Sequence, residues 1–160
     1  MSTADQQIVE DAGQVRRRAA MAVLANARAE DIARGLKAVG DGVDFTELRP
    51  PEIGLVMLRG RVGGNGAPFN LGEASVTRAA IRLKSGETGF AYVLGRDTEK
   101  ARYAALCDAL WQAPAHRDGI ERHVLTPLRR EQEARRAKAQ AQTAATRVDF
   151  FTLVRGEDEK

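Results

Sequence analysis

Cysteine occurs once in this chain of 160 residues, at Cys107, and histidine twice. A single cysteine excludes an internal disulfide and any metal site built from paired thiolates, and it agrees with a reducing compartment. His116 and His123 stand seven apart and can share a helix face, but no cysteine or carboxylate lies beside them at ligand spacing, so no metal is expected. No apolar run approaches the eighteen or so residues of a membrane span, and the opening MSTADQQIVEDAGQVRRR is polar, so a cytoplasmic protein without membrane attachment is expected. A Walker loop, a dinucleotide fingerprint, a nucleophile elbow and an HExxH pair are all missing, and no two carboxylates sit at a convincing acid–base spacing. By itself the chain looks unlike a complete enzyme.

With 43% hydrophobic and 29% charged residues, the chain has the composition of one soluble globular domain large enough to bury a core. The net charge of +3 is too small to imply a nucleic-acid binder on its own. Twenty of the 25 cationic residues are arginine, whose planar fork suits carboxylates, phosphates and buried interfaces. The stripe Arg129, Arg130, Arg135, Arg136 and Lys138 carries an alternative reading, a small basic nucleic-acid-binding module. Glu131 and Glu133 interrupt it, and no aromatic residue interleaves with it for stacking, so no nucleic-acid partner is expected. A stand-alone ATP-using transferase is a further alternative.

Read in order, residues 1–14 form a loose lead-in and a helix follows from about Val15, with Ala19, Ala20, Val23, Leu24 and Ala27 at helical spacing. Arg16, Arg17 and Arg18 face the unfavourable end of its dipole. Ala29 to Val39 is a second helix, stopped by Gly40. Two strands are expected next, Val43 to Arg49 and Ile53 to Val62, separated by Pro50-Pro51 at a corner or sheet edge. Arg59 and Arg61 then emerge side by side at a connection rich in glycine, Gly63, Gly64, Gly66 and Gly72. Beyond it, Ser75 to Lys84 and Glu87 to Leu94 read as a hairpin with a two-residue Ser85-Gly86 turn. Pairing Lys84 with Glu87 places Phe90, Tyr92 and Leu94 with Thr77, Ala79, Ile81 and Leu83 on the core face. Arg78, Ala80, Arg82, Gly89, Ala91 and Val93 then take the other face, and a slip of one residue would exchange the assignments.

Asp97 is the expected N-cap of a helix from Thr98 to about Gln112, which Ala113-Pro114 breaks. A short amphipathic piece, Gly119 to Leu125, leads to Thr126-Pro127, read as the cap and first position of a helix from Leu128 to about Arg147. Its stripe is alanine: Ala134, Ala137, Ala141 and Ala145. Alanine favours helix but buries little area, so the helix reads as an arm for a partner subunit or as a solvated surface helix. Val148, Phe150, Phe151, Leu153 and Val154 form an apolar knot that needs docking, and an acidic tail follows. The expected architecture is α+β: an antiparallel sheet with packed helices in residues 15–125, then a long C-terminal helical arm and docking segment in 126–157. The candidate substrate- or interface-contacting residues are Arg59, Arg61, Gly63, Gly64, Gly66, Glu73, Thr77, Arg78, Arg96 and Asp97, where amides and guanidinium groups could hold an anion. Ala134, Ala137, Ala141, Phe150 and Phe151 are the candidate partner-docking residues.

The block RGRVGGNG at 59–66, followed by FNLGEASVTRA at 69–79, resembles the PhnG family, the G subunit of the bacterial carbon-phosphorus lyase system. Gly95-Arg96-Asp97, the stretch AALCDAL at 104–110 and the ending RVDFFTLVRG at 147–156 agree with it in order and spacing. The resemblance implies a subunit of the core complex that degrades phosphonates. That complex forms α-D-ribose 1-methylphosphonate 5-triphosphate from MgATP and methylphosphonate, with adenine leaving. It also implies H, I and J subunits as partners in two copies each, ABC-like K and L proteins as more transient ones, and no cofactor held by this chain. It assigns no catalytic residue here.

Overall fold

The computed structural model describes residues 12–40 and 42–146. Its elements are α1 (Ala12–Ala25), α2 (Ala29–Val39), β1 (Phe45–Arg61), β2 (Pro68–Leu83), β3 (Thr88–Leu94), α3 (Thr98–Gln112), α4 (Pro114–Ile120), a π turn (Glu121–Leu125) and α5 (Thr126–Ala145). The expected α+β class is what is found. The strands form one antiparallel sheet in the order β1-β2-β3, and the helices cover one of its faces.

Helix α3 is the centre of the core. Ala101, Ala104, Ala105 and every residue from Cys107 to Trp111 are buried, the pattern of a helix enclosed on several sides. Its alanines let the sheet come close: a Cβ added at Gly89 of β3 would lie 2.1 Å from the Ala105 carbonyl oxygen and 2.4 Å from the Ala109 nitrogen. Leu24, Ile32, Ile81, Leu110, Ile120 and Leu125 fill the space around this contact.

The close approach settles the register, and it overturns the expected hairpin. Leu83, not Lys84, stands opposite Glu87: the Leu83 N–H donates to the Glu87 carbonyl at 2.9 Å. The loop is therefore three residues, Lys84-Ser85-Gly86, with Gly86 at φ +112°, a conformation glycine takes without strain. Thr77 faces Val93, Ala79 faces Ala91 and Ile81 faces Gly89. Phe90, Tyr92 and Leu94 thus leave the core face and are exposed by 54%, 55% and 74%. No side chain fits at Gly89, where β3 meets α3, so the aromatic residues take the open face.

Two further expectations are corrected. Residues 45–61 make one strand instead of two, because irregularities in register between Glu47 and Arg49 and between Arg49 and Glu52 absorb the prolines. The expected edge position holds, since β1 is an outer strand and Pro50 and Pro51 remove donors that an invading strand would use. At the C-terminal end, Thr126 is no cap. Glu121, Leu125 and Thr126 all have right-handed helical angles, so α4, the π turn and α5 run on as one rod. Pro127 has no N–H for the His123 carbonyl, and the widened turn just before it, where the Thr126 N–H bonds back to Glu121, accommodates the ring. Gly35 of α2 packs against this turn; a Cβ there would lie 2.7 Å from the His123 oxygen. Helix α1 begins three residues before Val15, α2 and α3 keep their expected limits, and the knot containing Phe150 and Phe151 lies outside the described residues.

Gly89→Ala should destabilise the fold by about 3 kcal/mol or more, since helix backbone must move to admit the methyl group. Gly54→Ala, with nothing within 4 Å of the added carbon, should change stability by less than about 1 kcal/mol. Urea denaturation of both variants checks the pair.

Candidate functional site

The candidate residues separate into two groups. At the β3–α3 corner, the buried Thr77 hydroxyl donates to the Gly95 carbonyl at 2.8 Å, and the Asp97 carboxylate accepts the Lys100 N–H at 2.8 Å as the cap of α3. The Arg96 guanidinium reaches the Ser75 hydroxyl at 3.4 Å. Arg78, on the open face, bonds Glu52 at 2.6 Å, and Arg49 lies 3.6 Å from the same carboxylate. Thr77, Arg78, Arg96 and Asp97 are thus neighbours, but Thr77 and Asp97 hold the corner together. Beside them a groove of about 660 Å³ runs between α1 and the sheet, lined by Met21, Leu48, Arg49, Arg78, Phe90 and Tyr92 among others.

The second group is remote. Beyond Val76, which faces Leu94, β3 has ended, and β1 and β2 continue alone as a two-stranded ribbon. Arg59 and Arg61 face Asn70 and Pro68 near its tip, and the turn there places Gly63 and Gly64 at φ +57° and +84°. Arg61 donates to the Gly66 carbonyl at 3.4 Å. Glu73 lies part-way along, opposite Met57. Ten residues of strand separate Pro68 from Arg78, about 30 Å, so the four arginines cannot surround one small ligand on this chain. The ribbon is also apolar: Ile53, Leu55, Met57, Leu58, Val62, Phe69 and Leu71 are all exposed.

A third feature escaped the sequence reading. Asp108, on the inner part of α3, is 2% exposed and receives a two-pronged bond from Arg17 of α1, Nε to Oδ1 at 2.8 Å and a terminal nitrogen to Oδ2 at 2.6 Å. The Phe90 N–H donates to the same carboxylate at 2.9 Å, and Gln112, one turn on, donates to the Thr88 carbonyl at 2.8 Å. Hydrogen bonding to Asp108 raises the Arg17 pKa, against the lowering effect of burial. The available signal was that Asp108 is the one carboxylate between Glu99 and Asp118, in an otherwise apolar stretch. Its neighbour Cys107 is fully buried, and burial pushes its thiol far above the usual range, which makes it a packing residue.

At the first residue of the π turn, Glu121 accepts the Trp111 indole N–H and an Arg129 N–H, each at 2.8 Å. Burial raises its carboxyl, but the hydrogen bonds from Arg129 and Trp111, with the Arg129 charge, outweigh that and hold it below the usual range. Arg117 lies 4.9 Å over the Trp111 ring and donates to the Trp111 carbonyl at 2.8 Å, closing the end of α3. Further along, Leu128 is buried and Gln132 bonds the Val23 carbonyl at 2.8 Å. From Glu133 to Thr146 every residue is exposed, Ala134, Ala137 and Ala141 included. Among the described residues, no group of three histidines, cysteines or carboxylates is placed to hold a metal, and no helix is long and apolar enough to cross a membrane.

The family model described as phosphonate metabolism protein PhnG matches residues 15–156. The chain belongs to the PhnG family. It is 50% identical over 150 residues to a Rhizobium meliloti (strain 1021) protein named alpha-D-ribose 1-methylphosphonate 5-triphosphate synthase subunit PhnG, covering 93% of this chain and 95% of that one. The PhnG match takes in the corner, the ribbon and the arm together, so all three surfaces belong to the family's own extent.

Asp108→Asn should cost about 2–3 kcal/mol, below the full penalty of a broken buried pair because the Arg17 side chain is 34% exposed. Combined with Arg17→Met it should be less than additive by about 1 kcal/mol in a denaturation double-mutant cycle. Glu121 contributes stability that is complete above the usual carboxylate range and is lost as pH falls through its lowered folded-state value. Glu121→Gln should therefore flatten the acid limb of a plot of Tm against pH, while leaving the neutral and basic limbs parallel to the wild type.

Proposed function

We propose that this chain is the PhnG subunit of α-D-ribose 1-methylphosphonate 5-triphosphate synthase in phosphonate catabolism, working in the cytoplasm as part of the carbon-phosphorus lyase core complex. The observation that carries this reading is the 50% identity, over almost the whole of both chains, to a subunit of that name. In the overall reaction a methylphosphonate oxygen bonds to the ribose C1′ of MgATP as the bond from C1′ to the adenine nitrogen breaks. Adenine then leaves with a proton. The H, I and J subunits are the stable partners, two copies of each with two of this chain, and the ABC-like K and L proteins join more transiently.

The geometry supports a partner's role over a solitary catalyst. Arg59 and Arg61 are about 30 Å from Arg78 along β2, the ribbon is apolar and uncovered among the described residues, and every residue of the outer part of α5 is exposed. On this reading the tip arginines contact neighbouring subunits, and Arg78 lines the groove, where a partner can complete a pocket for a phosphate-bearing substrate, with Arg96 at the nearby corner against Ser75.

Co-expression with the H, I and J subunits should yield one co-eluting assembly, and adenine release from MgATP plus methylphosphonate, followed by chromatography with the K and L proteins supplied, should fall to background when this chain is omitted. The isolated chain should release none. Adenine release by the isolated chain at the rate of the assembly would overturn the proposal.

A further inference from the structure

We infer that the outer edge of β2 from Phe69 to Ala74 is a strand-addition site, filled by an extended apolar strand of another synthase subunit. The inference rests on the synthase reading above and names the element that makes the contact. A partner strand there would lie in line with β3 and extend the three-stranded part of the sheet along the ribbon.

The first argument is the main chain. The Gly95 N–H bonds the Ser75 carbonyl at 2.8 Å, and beyond this, among the described residues, no strand stands on that side of β2. N–H and C=O groups over about 20 Å are left for pairing, with one irregularity at Leu71, the extra residue where Leu58 faces Gly72 and Arg59 faces Asn70. Elsewhere the edges differ. On β3, Asp108 and Gln112 occupy the Phe90 N–H and the Thr88 carbonyl, and on β1 the Pro50-Pro51 irregularity breaks the pattern at the base of the ribbon. From Phe69 to Ala74 no proline or lysine appears, the residues natural proteins place on edges to discourage pairing.

The second argument is area and charge. Leu94, at the end of β3, and Leu71, on the open stretch, are 74% and 66% exposed, the two most exposed large apolar residues described. A strand in this position covers Leu71 and lies beside Leu94. With Ile53, Leu55, Met57, Val62 and Phe69 the ribbon offers on the order of 700 Å² of apolar surface, close to the ~800 Å² one partner contributes to a standard interface. Near the tip, Arg59 and Arg61 make no ion pair among the described residues, while Arg78, Arg102 and Arg129 each have a carboxylate. The complementary strand is apolar along its length and acidic where it passes the tip.

The test uses the full chain with the H, I and J subunits. Hydrogen exchange at the outward-pointing amides of residues 69–74, those that do not bond to β1, should be fast in the isolated wild type and should slow in the assembly. The double variant Leu55→Asp with Leu71→Asp alters only exposed side chains, so it should keep the wild-type Tm and bind the other subunits roughly 30-fold more weakly or worse. A wild type that fails to assemble with those subunits defeats the synthase reading itself. Assembly of the wild type with unchanged exchange at 69–74 overturns the strand-addition site alone, even if the variant misfolds. Protection of the same amides in the isolated monomer would assign the edge to this chain's own terminal segment. Protection that rises with the chain's own concentration would assign it to a second copy, and either result overturns the inference.

Discussion

The fold depends on one buried carboxylate. Asp108 is enclosed in α3 and satisfied from two directions, by the guanidinium of Arg17 and by the main-chain N–H of Phe90. A buried carboxylate is tolerable only when paired and hydrogen-bonded, so α1, α3 and β3 must meet at fixed positions for Asp108 to find its partners there. Arg17, in the second turn of α1, ties that helix to the centre of the chain. The same oxygen occupies a donor on the outer edge of β3, and Gln112 occupies an acceptor beside it. One interaction thus joins the helical layer to the sheet and closes that side of it to strangers.

From this centre the chain divides into a covered part and an uncovered part. The lower sheet, α1 to α4 and the first turns of α5 bury a continuous core. The ribbon, the open face bearing Phe90 and Tyr92, and the outer part of α5 bury almost nothing. Apolar surface of that extent on a lone chain marks places for other molecules. For a member of the PhnG family, the covered part reads as a frame and the uncovered parts as what the frame presents to a synthase assembly.

Much of this was legible in the sequence because local rules governed it. The limits of α2 and α3, the Asp97 cap, the edge character of Pro50-Pro51 and the alanine stripe all follow from short-range propensity and capping. The errors arose where a distant contact decided. Alternation alone could not choose between two registers for β3; the choice came from α3, whose Ala105 backbone leaves no room for more than a hydrogen at Gly89. Thr126-Pro127 has the local form of a helix start, yet the preceding turn carries the helix through it. Of the candidate site residues, the arginines were found by type and position, but their separation into tip and corner groups depended on the length of the ribbon. The importance of Asp108 depended on a partner 91 positions away.

The π turn before α5 also sets a direction. A π turn is equivalent to one residue inserted into an α-helix, and each residue of an α-helix turns the chain through about 100°. The extra residue among Glu121–Leu125 therefore rotates the whole outer rod by that angle relative to its root. The compass bearing of Ala134, Ala137 and Ala141 is fixed about ten residues or more upstream, in the turn Glu121–Leu125 beside Gly35, by a swelling whose sequence shares nothing with theirs.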